Sequence, residues 1–445
     1  MDDAWSGRFE SFVSRQLQGD PNACLAIGVL SGGELVYSKG FGYRDFSLTK
    51  PVTDRTLFGV GSVTKSITAL SLLLLEGEGR LSVEDPVSEY LPEYVLGGSG
   101  GVRIKHLLTH TSGIPALGVA ETIIEEKVKS DRKRRFRDRS EFVEWVNRGA
   151  LERVAAPGEK FLYWNEGYTI LGEIVGKVSS LGYSEFVGRR VLTPLGMSRS
   201  GFGVSMLSDD DSMEPYVVDG KRKMRVGFPD HPLLYAAGGL ISCVRDLSRY
   251  IGVFIADPQP FEKKLLERLV APHVKCGLPT PFGDEYYGYG WVVNQDFYGH
   301  TLVYHSGNIG VSTAYVGFIP EAKIGVALVS NSENIHTAYV GAFALTQLLG
   351  IEEESLPFVR YQRLIDTLSG VYENFSGTVK LELRQAGSML YASFSQEGAT
   401  QTFPVVLEDG NLSVVVGVER IPIELISALG RVDLLIERNR FHRVS

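Results

Sequence analysis

Ser62 and Lys65 stand three residues apart at the head of an apolar run, Ile67 to Leu75, that reads as a helix. On a helix this spacing places both on one face, one turn apart. The amine then reaches the hydroxyl at a helix N-terminus, where unpaired backbone N–H groups and the positive dipole end favour an anion. A serine hydroxyl is a weak nucleophile until a base takes its proton. A lysine can be that base if burial and nearby positive charge lower its pKa. Ser62-Val63-Thr64-Lys65 also reads more blandly, as a serine N-cap followed by a solvated lysine.

Two further stretches bear on the choice. Tyr163-Trp164-Asn165 follows Ala156-Pro157-Gly158-Glu159-Lys160-Phe161-Leu162, and His305-Ser306-Gly307 sits between a Tyr-rich and a β-rich segment. In this order the three stretches resemble the Ser-x-x-Lys, Tyr-x-Asn and Lys/His-x-Gly motifs of serine β-lactamase-like, penicillin-binding-protein-fold hydrolases. Leu107-Leu108-Thr109-His110-Thr111-Ser112-Gly113, Ala236-Ala237-Gly238-Gly239-Leu240 and Gly288-Tyr289-Gly290-Trp291 fit the same family. The resemblance spans roughly residues 10 to 350 and is nearest to the CubicO group of peptidases and esterases.

The resemblance implies an acyl-enzyme mechanism with Ser62 as nucleophile and Lys65 as its nearest base. Tyr163 is a second candidate base, or the acid that protonates the leaving group. Asn165 would orient Lys65 and bind a substrate carbonyl. His305 stands where many relatives carry lysine; it could join the proton relay or bind a carboxylate, with a titration near neutrality. Ser306 would bond locally, and Gly307 would let the strand approach the substrate. The backbone N–H groups of Ser62 and Asn308 would form the oxyanion hole. The expected activity is that of a peptidase on small peptides, of the carboxypeptidase or D-amino-acid type. A carboxylesterase of the same fold and an acylated sensor without turnover are the alternatives.

These residues need a rigid frame. Cys24–Ser31 and Glu34–Gly40 read as a hairpin turned by Gly32-Gly33. Val311–Ile319 and Ile324–Ser330 read as alternating strands, and Tyr168–Val178 as a helix following the Tyr163 loop. Residues 208–232, polar and irregular, read as an excursion over the rim of the site. The expected fold is α+β: a β-lactamase/transpeptidase-like antiparallel sheet with helices on both faces, over residues 1–350. A linker is expected at 351–365, around Glu352-Glu353-Glu354. From 366 to 445 short alternating strands separated by turns predict a small antiparallel β-barrel or sandwich. It resembles the lipocalin-like barrel of an archaeal self-compartmentalising serine peptidase of this family, which implies a homo-oligomer and, by that analogy, an octamer.

Composition excludes several classes. The 445 residues are 44% hydrophobic and 22% charged, ordinary for a globular protein. The net charge of −8 argues against a nucleic-acid partner, which calls for a basic stripe. Cys24, Cys243 and Cys276 are too scattered for a disulfide framework or a zinc site. His106 and His110 have a metal-ligand spacing without a third ligand, so no metal or cofactor is expected. The basic run Arg132–Arg137 reads as a solvated insertion or a subunit contact. No membrane-length apolar segment is present, and the acidic start, Met1-Asp2-Asp3, lacks a leader pattern, so a cytoplasmic location is expected.

Overall fold

The computed structural model describes residues 3–97, 101–128, 136–208, 211–219, 222–256, 260–277, 279–387, 389–408, 410–428 and 431–444. The glycine-rich loop at 97–101, the Asp209–Asp211 and Lys221–Lys223 runs and most of Arg132–Arg137 therefore lie in whole or part outside the described residues. The chain folds as two units, Met1–Gly350 and Ile351–Ser445.

The first unit is built on an antiparallel sheet. Its strands are β1 (Leu25–Ser31), β2 (Glu34–Phe41), β3 (Val274–Lys275), β4 (Glu285–Tyr287), β5 (Val292–Phe297), β6 (His300–Asn308), β7 (Thr313–Ile319) and β8 (Ile324–Ser330). Their order across the sheet is β2-β1-β8-β7-β6-β5-β4-β3. The helices used below are α1 (Asp3–Gln18), α2 (Thr64–Gly77), α3 (Ile104–Leu108), α4 (Val119–Val128), α5 (Asn165–Ser179), α6 (Val244–Ile255), α7 (Thr337–Leu348) and α8 (Pro357–Leu368).

Helices cover both sheet faces. On β7, Phe318 stacks on Phe254 of α6 with ring centroids 4.9 Å apart. Tyr315, of opposite parity, lies against Gly341 of α7. Phe12 of α1 stacks on Phe343 of α7 at 4.0 Å. Two-sided cover explains why every residue of β7 and β8 is buried, where alternation was expected. The rim excursion is more regular than expected: Tyr216–Asp219 pairs with Arg222–Arg225 as a hairpin.

The second unit is a closed eight-stranded antiparallel barrel. Its strands run from β9 (Gly370–Glu373) to β16 (Asn439–Arg443), which pair with each other to close it. Leu381, Leu383, Leu390, Ala392, Val405, Val414, Leu434 and Phe441 form its buried core. The expected linker at 351–365 is corrected. It holds a 3-10 turn at Glu353–Ser355 and most of α8, whose Ile365 and Leu368 are buried in the barrel core. The glutamates precede the helix, where negative charge is favourable, and Glu353 and Glu354 pair with Arg363.

Candidate active site

Three elements converge on one point. Ser62 lies in a 3-10 turn, Gly61–Val63, that runs straight into α2. Thr64 fastens this turn: its hydroxyl donates to Gly61 O at 2.7 Å and accepts from Leu240 N at 3.1 Å. Thr68, one turn on, donates to Ala236 O at 2.7 Å. The Ala236–Leu240 stretch thus acts as the clamp for α2. Asn165 is the first residue of α5, and Tyr163 sits in the loop just before it. β6 supplies His305, Ser306, Gly307 and Asn308.

The strand and the Ser62 turn meet backbone to backbone. A Cβ on Gly307 would lie 1.9 Å from Val60 O and 2.9 Å from Ser62 N. Gly61 has φ 53°, and a Cβ there would lie 2.5 Å from Asn308 N. Only glycine permits either approach. This contact brings the amides of Ser62 and Asn308 into one neighbourhood.

Lys65 Nζ lies 2.9 Å from Ser62 Oγ, 2.8 Å from Asn165 Oδ1 and 2.7 Å from Ala237 O. The last two only accept hydrogen bonds. A neutral amine has two N–H groups and one lone pair, so its N–H groups go to Asn165 and Ala237 and its lone pair faces the Ser62 hydroxyl. Burial lowers the Lys65 pKa to about 7, opposed by the carboxylates of Glu121 and Glu166. Tyr163 touches Ser62 through its hydroxyl; burial pushes the phenol pKa up, more than the Ser62 hydrogen bond lowers it. The phenol is thus held as an acid at neutral pH.

His305 differs from the expected titrating group. Its Nδ1 lies 2.6 Å from Ser306 O, a pure acceptor, so Nδ1 carries the proton. Nε2 then accepts from the Tyr287 hydroxyl at 2.9 Å. Burial, reinforced by the charge of Lys65, lowers the His305 pKa to about 3. Both ring nitrogens are occupied and the ring is neutral, so a pH limb near neutrality is expected from Lys65 rather than from His305. Accordingly, His305→Gln should keep an activity limb near 7, and a pH–rate profile of this variant checks it.

Ser62, Asn165 and Asn308 line a cavity of about 1100 Å³. Glu121 and Glu333 stand at its wall, accepting from Asn165 Nδ2 at 3.3 Å and Asn308 Nδ2 at 2.7 Å. Lys65 thus contacts Ser62, Asn165 and the Tyr163 ring, Tyr163 reaches Ser62, Asn308 shares the cavity wall, and the His305 ring lies 6.4 Å from that of Tyr163. Sequence reasoning passed over Tyr287, Glu121 and the Ala237 carbonyl, and weighed His110 only as a metal ligand. His110 and Ala237 lay inside quoted motifs; Tyr287 and Glu121 had no local signal. The two histidines at metal-ligand spacing do separate tasks: His106 Nδ1 accepts from Arg103 N at 3.1 Å, and His110 Nδ1 from Trp164 N at 2.9 Å. Among the described residues no cluster of side chains suits a metal ion, and no helix is long and apolar enough to cross a membrane.

Residues 9–349 match the family profile described as Beta-lactamase. The chain belongs to the beta-lactamase family. Residues 352–442 match the Pab87 octamerisation domain. The octameric penicillin-binding protein homologue from Pyrococcus abyssi is 35% identical, with a TM-score of 0.90 over 99% of this chain and 100% of that one. Penicillin-binding protein 4* of Bacillus subtilis is 26% identical over 79% of this chain and 78% of its own length. Protein flp of Staphylococcus aureus is 26% identical over 73% of this chain, which spans 62% of that protein's length. The beta-lactamase fold thus accounts for the first unit, and the octamerisation-domain match for the barrel.

Proposed function

We propose that this beta-lactamase-family chain is a serine hydrolase working through an acyl-enzyme, and that its substrates are small peptides. The observation that carries the reading is the buried Lys65 amine, 2.9 Å from Ser62 Oγ, whose lone pair faces that hydroxyl when the amine is neutral. Lys65 takes the Ser62 proton as Ser62 attacks the carbonyl. The amides of Ser62 and Asn308 bind the developing oxyanion, and Tyr163 gives the leaving amine its proton. Water then releases the acyl group by the reverse proton movements. Asn165 holds Lys65 in place, while His305 and Ser306 support the strand behind it. The apolar cavity residues Ile124, Val128, Val217, Met224, Val226 and Ile309 suit peptide side chains. A D-amino-acid peptidase and a carboxypeptidase both fit this frame.

A carboxylesterase is the second reading. It is favoured by the neutral His305, which offers no cation to a C-terminal carboxylate where relatives often carry lysine. A screen of L- and D-aminoacyl p-nitroanilides, p-nitrophenyl esters and a chromogenic β-lactam separates these, with Ser62→Ala as control. Turnover of anilides is the expected result. Turnover of esters alone would make the chain an esterase, and a burst without turnover would make it a sensor.

The barrel is proposed to assemble the chain into a homo-oligomer, an octamer by analogy with the Pyrococcus abyssi homologue. Its outer face supports this: Tyr391, Val415 and Leu435 are half-buried there, and Val418, in a hairpin turn, is 96% exposed. Apolar side chains left on a surface commonly mark contacts between subunits. Cutting after Gly350 should reduce the native mass to that of a single chain and leave Ser62 able to acylate. Light scattering with acylation labelling checks both; a full-length monomer would contradict the proposal.

A further inference from the structure

His110 is a buried residue that the proposed chemistry leaves unused. It sits at the end of α3 with φ 57°, a left-handed conformation that a side chain adopts only when its surroundings enforce it. Three contacts tie it to the loop carrying Tyr163. Its carbonyl oxygen accepts from Leu162 N at 2.7 Å. Its Nδ1 accepts from Trp164 N at 2.9 Å. Its ring lies over the Tyr163 ring, centroids 4.2 Å apart, tilted by 34°. The residues on both sides of Tyr163 are therefore hydrogen-bonded to one histidine, and the tyrosine ring rests on that histidine's face.

The rest of the His110 ring is enclosed by aromatic groups. Tyr287, which holds His305, is 4.8 Å away, Tyr168 is 5.1 Å away and Phe161 is 5.8 Å away. With Nδ1 accepting, the neutral ring carries its proton on Nε2, and that atom is buried without a hydrogen-bond partner among the described residues. A ring with no proton acceptor in reach is not part of a proton relay. Its contacts all serve to place something else.

We infer that His110 is a positioning residue that fixes the Tyr163 phenol against Ser62 and the leaving group. The inference rests on the acid role given to Tyr163 above. It separates His110 from a residue that merely stabilises the fold, because its effect depends on whether the leaving group needs a proton.

Two substrates sharing one acyl group make the test, an aminoacyl p-nitroanilide and the matching p-nitrophenyl ester. An anilide nitrogen must be protonated to leave; p-nitrophenolate departs without a proton. His110→Leu removes the acceptor and the ring. It should lower the acylation rate of the anilide, read as kcat/KM, by ~10²-fold, the scale of a misplacement of about 1 Å, with the acylation rate of the ester held within a few-fold. His110→Asn tolerates the left-handed backbone and keeps an acceptor near Trp164 N; it should fold where Leu does not and recover part of the anilide rate. Tyr163→Phe combined with either variant should be no slower on the anilide than Tyr163→Phe alone. Equal losses on anilide and ester, or losses that multiply with Tyr163→Phe, would overturn the inference. A Tyr163→Phe protein with wild-type anilide turnover would instead remove the acid role itself, and the inference with it; Ser62→Ala, run alongside, reports on the acyl-enzyme separately.

Discussion

Ser62→Ala and Lys65→Ala are each expected to lower kcat by ~10³-fold or more, with the double variant little slower than either, because residues that act as one unit are not additive. The geometry gives the reason. Among the described residues Lys65 Nζ has three hydrogen-bond partners, and two of them, Asn165 Oδ1 and Ala237 O, cannot give it a proton. Only Ser62 can, so removing the hydroxyl leaves the amine without a proton source, and removing the amine leaves the hydroxyl without its base. Lys65→Arg should be no rescue, since a guanidinium stays protonated at any usable pH. Steady-state kinetics on the single and double variants, with circular dichroism to confirm folding, decide this. Multiplying losses would mean that the two residues act independently.

Gly307→Ala should be the next most damaging change, at ~10²-fold or more in kcat, the scale of losing one oxyanion donor. The added methyl would sit 1.9 Å from Val60 O and 2.9 Å from Ser62 N, closer than any van der Waals contact allows. Neither neighbour is a flexible side-chain tip, so the strand or the Ser62 turn must shift. Either shift separates the Asn308 amide from that of Ser62. The loss should fall on kcat rather than on KM, because the oxyanion exists only along the reaction path. Kinetics of this variant check it, and wild-type kcat would mean that the strand edge does not contribute to the oxyanion site.

Much of this arrangement was legible from side-chain types and spacing. Ser62 and Lys65 are one helical turn apart, so their contact is local. Tyr163 and Asn165 flank a helix start, which confines them to one neighbourhood. The barrel shows itself through the alternation of Val379, Leu381 and Leu383 with charged residues. Properties set by distant parts of the chain were not legible. His305 is neutral because it is buried, with the Lys65 charge adding to the effect, and Tyr287 holds its Nε2; none of these leaves a mark near residue 305. Lys65 owes its lowered pKa to enclosure by segments as far away as Ala237. His110 showed its place in the Leu107–Gly113 stretch and its four-residue spacing from His106, a pattern shared by metal sites and plain helices, and neither points to Tyr163. The segment at 351–365 misled because its charge run suggested a solvated linker; the apolar stripe of Ile365 and Leu368 that anchors α8 lies at the far end.

The central claim is that a neutral Lys65 activates Ser62, and the pH dependence of single-turnover acylation tests it most directly. The wild-type chain is mixed with an excess of a slowly hydrolysed p-nitrophenyl ester, and intact-mass spectrometry follows the adduct at a series of pH values. Below about 7 the amine is protonated and cannot accept the Ser62 proton; above it the lone pair is free. The acylation rate should therefore rise through about 7 to a plateau, with the added mass mapping to the peptide containing Ser62. A rate that does not change across this range, or an adduct that persists in Ser62→Ala, would contradict the account.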